Sequence, residues 1–333
     1  MNNKVRAMVS PEQWGDVDPI SRTMLEDEGI EIVRNTKRRL LVEDEMIELI
    51  QGCDVAISGA EPTTRAVIDA APDLRFISKC SVGLDSTDLL HARACGIPVA
   101  YVGGANAQAV TELTVSHILT LIRGVQRGDA LLRRGEWFRV MGRSMEELTI
   151  GIIGVGRIGG RVARLLAFMG AHVIANDIAP NEALGAEIGI EWVGKEELFA
   201  RADVVCLHVP KAPSTLDLIS EETIALMKDG AFLINTARGG LVDEAALARA
   251  LRSGKLAGAG LDCFSEEPYR GELATLDNVV MTTHMGANTR SSRAHMERWA
   301  AENLICFLRG EPIPGLVPDS EYELQAAMAA LGR

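Results

Sequence analysis

The chain has no Cys-x-x-Cys pair, no low-complexity segment, no internal repeat and no run approaching about 18 apolar residues. Each absence removes a class of protein. The six cysteines (Cys53, Cys80, Cys95, Cys206, Cys263, Cys306) are scattered, with no His or Cys at zinc spacing. They read as buried thiols of a reducing compartment, so no metal is expected and the expected location is cytoplasmic. The N-terminus lacks a basic segment followed by an apolar stretch, which argues against secretion, and a membrane span is not expected. Lys and Arg number 34 against 46 Asp and Glu, a formal net charge of -12. Binding to nucleic acid or to an anionic membrane needs clustered cations, so neither is expected as a partner. Small molecules and copies of the chain itself remain. At 333 residues, two domains are expected by a prior of about 150 residues each.

The strongest positive signal lies at residues 148–177. An apolar run, Leu148 to Ile153, leads into Gly154-Val155-Gly156-Arg157-Ile158-Gly159 and then a helical pattern. G-x-G-x-x-G between a strand and a helix is a dinucleotide fingerprint. The first glycine permits a tight turn, the second lets backbone approach a pyrophosphate, and the third allows the helix to sit close on the strand. Asp177 follows Gly159 by 18 residues at the end of a second strand, near the ~20-residue spacing at which an acid accepts hydrogen bonds from the adenosine ribose. An acid there repels a 2′-phosphate. The following Ile178-Ala179-Pro180-Asn181 supplies no cation to offset it, so NAD is expected as the cofactor rather than NADP.

Short apolar runs alternate with helical patterns throughout, the mark of parallel sheets covered by helices. Strands are expected near 4–9, 31–34, 54–58, 75–80 and 99–102, separated by helices near 19–28, 43–50, 64–71 and 87–95. Gly103-Gly104 then forms a joint, followed by a long helix from about Val110 to Arg123. After the glycine motif, strands are expected near 171–176, 191–193, 203–209, 231–236, 258–263 and 278–283. Thr289 reads as the N-cap of a helix to about Leu308, ended by Gly310 and the prolines at 312, 314 and 318. The tail from Asp319 has weak helical character. The expected division is 1–104 with 289–333, and 105–288.

Three expected strands end in reactive residues: Asn235-Thr236-Ala237-Arg238-Gly239-Gly240, Asp262-Cys263-Phe264-Ser265-Glu266-Glu267-Pro268 and Thr282-Thr283-His284-Met285-Gly286. Strand ends are where open α/β sheets bind ligands. Taken together these blocks resemble the D-isomer-specific 2-hydroxyacid dehydrogenase family over nearly the whole chain, to about Pro318. Ser81 to Asp88 resembles the family's substrate loop, and the segment from Gly135-Glu136-Trp137 to the glycine motif resembles its dimerisation arm. The resemblance implies an α/β protein of two doubly wound parallel-sheet domains, with a Rossmann NAD-binding domain inserted into a flavodoxin-like substrate domain. It also implies an NAD-dependent oxidoreductase, a small 2-keto or 2-hydroxy acid as substrate, and a homodimer formed through the NAD-binding domain.

The residue types suit that chemistry. Arg238 can grip a planar carboxylate through its fork of donors and polarise the neighbouring oxygen, a geometry lysine lacks. His284 can give a proton to that oxygen in reduction and take it back in oxidation. Glu267 would bond the other ring nitrogen and favour the imidazolium. Gly154, Gly156, Arg157, Ile158, Gly159, Asp177, His208, Val209, Pro210, Thr215, Thr236, Ala237, Arg238, Asp262, His284 and Gly286 are the expected cofactor contacts, with His208 equally open to a structural role. The resemblance further implies that Val82 and Gly83 present backbone N–H groups to the substrate carboxylate, with Gly83 allowing close approach. Lys79, at the end of the same strand, is either a contact for a second anionic group or a solvated lysine. His91, His117, His172 and His295 are assigned no chemistry.

The site is expected in a cleft between the domains, closing about crossings near 103–106 and 286–289 to exclude water. Some features depart from the family pattern. Thr283 stands where proline usually precedes the histidine, and only 17 residues separate Glu267 from His284. Glu267 argues against the formate dehydrogenase branch, and the regulatory domain of many 3-phosphoglycerate dehydrogenases is not expected. A dinucleotide-sensing corepressor and a phosphite-type dehydrogenase of the same fold are the alternatives.

Overall fold

A computed structural model describes residues 4–332, in two compact units, Met1–Asn106 with Asn288–Arg333, and Ala107–Ala287. The first unit opens with β1 (Arg6–Val9), α1 (Ile20–Asp27), β2 (Glu31–Arg34), α2 (Glu43–Ile50), β3 (Val55–Ser58), α3 (Arg65–Asp69), β4 (Phe76–Lys79), α4 (Leu89–Ala94) and β5 (Val99–Tyr101). Every pairing is parallel and the strand order is β2-β1-β3-β4-β5. This is the flavodoxin-like order. β3 and β4 are buried at all positions, as expected of strands covered by helices on both faces. In α2, Met46 and Ile50 lie one turn apart and are buried, while Glu43, Asp44 and Glu45 occupy the first turn, where the helix dipole favours anions.

The second unit comprises α5 (Ala107–Ile122), α6 (Val125–Arg133), β6 (Thr149–Ile153), α7 (Gly159–Phe168), β7 (His172–Asn176), α8 (Glu182–Ile188), β8 (Glu191–Trp192), α9 (Lys195–Arg201), β9 (Val204–Leu207), α10 (Glu221–Leu226), β10 (Ala231–Asn235), α11 (Glu244–Ser253), β11 (Leu256–Leu261) and β12 (Val279–Met281). Its seven parallel strands run β12-β11-β10-β9-β6-β7-β8. The chain grows outward from β6 through β7 to β8, then returns to β9 on the other side of β6. The crevice at that reversal, beyond the carboxyl ends of β6 and β9, is where such sheets bind ligands. α6 was not anticipated: Gly124, at φ +59°, ends α5, and α6 buries no residue that would have marked it.

From Asn288 the chain rejoins the first unit as α12 (Arg290–Arg309) and α13 (Asp319–Ala329). The Thr289 hydroxyl accepts from the Ser292 amide at 3.2 Å, a cap of about 1 kcal/mol, and Gly310 ends α12 at φ +69°. Phe307 stacks on Phe76 of β4 with centroids 4.4 Å apart, adding about 0.5–1.5 kcal/mol beyond the area buried. α13 is fixed by Tyr322, buried under the Arg93 guanidinium 3.4 Å from its ring centre. Among the described residues no helix is long and apolar enough to cross a membrane.

Candidate functional site

The glycine motif forms the loop between β6 and α7. Gly154 takes φ +90°, and its amide donates to the Asn176 carbonyl at 2.9 Å. A Cβ on Gly159 would lie 1.9 Å from the Gly154 carbonyl oxygen, so any side chain would lever α7 away from the sheet. A Cβ on Gly156 would meet nothing within 4 Å. Between two tightly packed glycines, the loop is therefore open at the position where backbone must approach a pyrophosphate. Arg157 is exposed beside it and Ile158 occupies the N-cap of α7.

Asp177 follows β7. Its Oδ2 accepts from the Val155 amide at 2.6 Å and its Oδ1 from the Ala179 amide at 2.8 Å. The acid thus ties the second strand to the glycine loop, and a carboxylate retains lone pairs for ribose hydroxyls. Across the crevice, the His208 carbonyl and the Val209 side chain crowd Gly154. Both ring nitrogens of His208 are buried without a partner, and burial lowers its pKa to about 4, so the ring is neutral. Thr215 closes the loop after Pro210, donating to the Pro210 carbonyl at 2.7 Å and accepting from the Ala212 amide at 2.8 Å. An open cradle, a ribose-type acid and an orphaned imidazole fit a dinucleotide.

The reactive strand ends of β10, β11 and β12 converge within the same unit. Asn235 clamps the turn that presents Arg238: its Nδ2 donates to the Arg238 carbonyl at 2.8 Å and its Oδ1 accepts from the Ala237 amide at 3.1 Å. Arg238 Nη1 donates to the Ala237 carbonyl at 2.7 Å. Gly239 follows because a Cβ there would lie 1.8 Å from the Phe264 carbonyl oxygen. That contact seats the Arg238 turn on the loop carrying Glu267. Glu267 Oε1 accepts from the Phe264 amide at 3.0 Å, and Oε2 stands 2.8 Å from His284 Nδ1.

His284 adopts φ +52°, a conformation costing a non-glycine residue about 1–3 kcal/mol. Asp262 holds it there by accepting from the next two amides, Met285 at 2.9 Å and Gly286 at 2.8 Å. The Thr282 hydroxyl also donates to Asp262, at 2.6 Å. With that proton committed, Thr282 can only accept from His117 Nε2, 3.2 Å away. His117, given no role on sequence grounds, therefore belongs to the network under His284. Thr114, one turn earlier on α5, lies 2.7 Å from the Thr236 hydroxyl. The spacing of Thr114 and His117 was the available signal, because two polar residues three apart on an apolar helix share a face.

Electrostatics reinforce the Glu267–His284 pair. Burial works to raise the pKa of Glu267, but the bond from His284, the Phe264 amide and the Arg238 charge outweigh it and hold the carboxyl below its ordinary value. The Cys263 sulfur and then the Glu267 carboxylate push His284 up to about 10 against the opposing effect of burial. Nδ1 is engaged by the acid, leaving Nε2 as the atom that can hand over a proton.

The three other expected residues, Lys79, Val82 and Gly83, belong to the first unit. Lys79 is not a solvated lysine. It is fully buried at the end of β4, with Nζ 3.4 Å from the Ser86 hydroxyl. Burial lowers its pKa to about 8, resisted by the charges of Glu61 and Asp85. In the loop that follows, the Ser81 hydroxyl donates to the Gly83 carbonyl at 2.8 Å, and Val82 and Gly83 are half-buried.

Residues 115–286 match the family described as D-isomer specific 2-hydroxyacid dehydrogenase, NAD binding domain. Human D-3-phosphoglycerate dehydrogenase is 34% identical over 305 residues, covering 90% of this chain and 57% of that protein. This chain thus spans somewhat over half the length of the phosphoglycerate dehydrogenases it matches. A glyoxylate reductase of Korarchaeum cryptofilum is 36% identical over 281 residues, covering 82% of this chain and 85% of that one. The crystal structure of Aquifex aeolicus D-lactate dehydrogenase complexed with NAD and lactic acid superposes with a TM-score of 0.83 at 29% identity, covering 93% of this chain and 98% of that one. A protein from Thermus thermophilus gives a TM-score of 0.86 at 35% identity, covering 94% and 100%. The inserted seven-stranded unit is an NAD-binding domain, and the chain belongs to the D-isomer specific 2-hydroxyacid dehydrogenase family.

Proposed function

We propose that the protein interconverts a small 2-keto acid and its 2-hydroxy acid, with NAD as hydride carrier. The observation that carries this reading is the convergence of Arg238, Glu267 and His284 at three neighbouring strand ends, with His284 Nδ1 2.8 Å from Glu267. NAD(H), when bound, supplies or accepts the hydride. Gly154, Gly156 and Gly159 leave room for its pyrophosphate, and Asp177, His208, Val209, Pro210, Thr215, Thr236, Ala237, Asp262 and Gly286 line the remainder of its site. Arg238 holds the substrate carboxylate and polarises the adjacent oxygen. His284 Nε2 donates a proton to that oxygen during reduction and recovers it during oxidation. Glu267 keeps the ring protonated and fixes its orientation. Lys79, enclosed and turned to Ser86, carries no part of this reading.

The raised pKa of His284 gives the reaction a pH signature. Keto-acid reduction needs the imidazolium, so the rate is retained below the folded pKa and lost as pH rises through it. Glu267→Gln removes one of the two groups, with Cys263, that raise the pKa, and the fall in kcat/KM should move to lower pH by about 1–3 units. A pH–rate profile of the variant that overlays the wild type counts against the pairing.

Self-association fits the surface of the second unit. Along the arm, Trp137, Phe138 and Met141 expose most of their area to solvent, three large apolar side chains within five residues on a free surface. We propose a homodimer covering this arm. Light scattering should give twice the chain mass for the wild type, and Trp137→Asp with Phe138→Asp should shift it toward the monomer. An unchanged mass would remove the arm from the interface.

A panel of 2-keto acids with NADH tests the function. Consumption of NADH with one or more of them is expected. NADH binding without turnover on any of them would instead favour a dinucleotide-sensing protein, and NAD reduction by phosphite alone would favour a phosphite-type enzyme.

A further inference from the structure

A second cluster lies in the first unit. Asp69 ends α3, His91 lies in α4, and Cys95 is the C-cap of α4. Asp69 Oδ1 is 2.6 Å and Cys95 Sγ 3.6 Å from the same atom, His91 Nε2, and the three donor atoms lie within 4.8 Å of one another. A nucleophilic relay would use the two ring nitrogens in series, with the acid on one and the thiol on the other. Here acid and thiol meet at one nitrogen, so no proton can pass through the ring between them. Sulfur, nitrogen and oxygen donors converging on one point are instead arranged as ligands.

The dimensions suit a small divalent cation. Bonds of about 2.0–2.3 Å in a tetrahedral site set donor atoms about 3.4–3.6 Å apart. The His91–Cys95 separation is already in that range. The His91–Asp69 separation must open by roughly 0.8 Å, which an exposed carboxylate allows by rotating. Both helices are pinned independently of any metal: Thr64 Oγ1 accepts from the Val67 amide at 3.4 Å, and Asp88 Oδ1 accepts from the His91 amide at 2.8 Å. His91 and Cys95, four residues apart, share a helix face. The pairing of α3 with α4 brings in Asp69 from 22 residues away. The expectation of no metal overlooked the local His91-x-x-x-Cys95 pair, and no local spacing could have registered Asp69.

We propose that Asp69, His91 and Cys95 bind one Zn²⁺-class cation, separate from the NAD-binding unit. A thiolate and an imidazole select Zn²⁺ or Co²⁺ over Mg²⁺ or Ca²⁺, and three protein ligands leave a fourth position to water.

Co²⁺ alone, titrated into the reduced, untagged and chelator-stripped full chain, supplies the test. One equivalent should produce a near-ultraviolet sulfur-to-cobalt charge-transfer band that Zn²⁺ abolishes by displacement. The band should be lost in Cys95→Ser. Should that variant fail to fold, Asp69→Asn retains the thiol and should weaken Co²⁺ binding by at least about 10-fold. Absence of the band in the wild type, its persistence in Cys95→Ser, or unaltered affinity in Asp69→Asn would each overturn the assignment.

Discussion

Replacing His284 with alanine should lower kcat for keto-acid reduction by about 10²-fold or more, the usual contribution of general acid–base catalysis, while leaving NADH affinity nearly unchanged. The two effects separate because the ring and its backbone have different partners. Nδ1 is held by Glu267, whereas the φ +52° turn is held through the Met285 and Gly286 amides on Asp262. The substitution removes the proton donor and spares the Asp262 anchor. Steady-state kinetics with an NADH binding titration on the same preparation checks both halves. A loss of kcat below about tenfold would mean that the proton comes from elsewhere. A large loss of NADH affinity would mean that the turn collapsed.

The second large effect is cofactor choice. NADH should be preferred over NADPH by roughly 100-fold in kcat/KM. Two unit charges 4 Å apart repel by about 4 kcal/mol at a surface-like dielectric, and roughly 2.7 kcal/mol left after screening corresponds to that ratio. Asp177 is the charge concerned, and the Ile178-Ala179-Pro180-Asn181 segment offers no cation to offset a 2′-phosphate. Asp177→Ala should narrow the preference while weakening NADH as well, because the same carboxylate tethers the Val155 amide at 2.6 Å. Comparable kcat/KM values for the two cofactors in the wild type would contradict the assignment.

The parts of this molecule that were legible in its sequence are those governed by local rules. Buried parallel strands such as Val55–Ser58 and Phe76–Lys79 need short apolar runs, and they appear where such runs occur. The Gly154-to-Gly159 spacing is dictated by one turn and one close contact, and the cap at Thr289 by a single hydroxyl. What was hidden depends on partners distant in the chain. The burial of Lys79 is set by neighbouring elements rather than by its place at a strand end. His117 acquires its part only when Thr282, 165 residues later, is folded beneath it. Asp69 joins His91 and Cys95 through helix pairing, and α6 carries no buried stripe to announce it.

Hydride transfer between NADH and a 2-keto acid, with His284 as the proton donor, is tested most directly by a product balance. NADH and the best keto acid of the panel are reacted with wild type and with His284→Ala at equal NADH occupancy, and the products are resolved on a chiral column. One D-2-hydroxy acid formed per NADH consumed by the wild type, with formation slowed about 10²-fold in the variant, is the predicted result. NADH bound by both proteins with no hydroxy acid formed by either, or formation at equal rates, would contradict it.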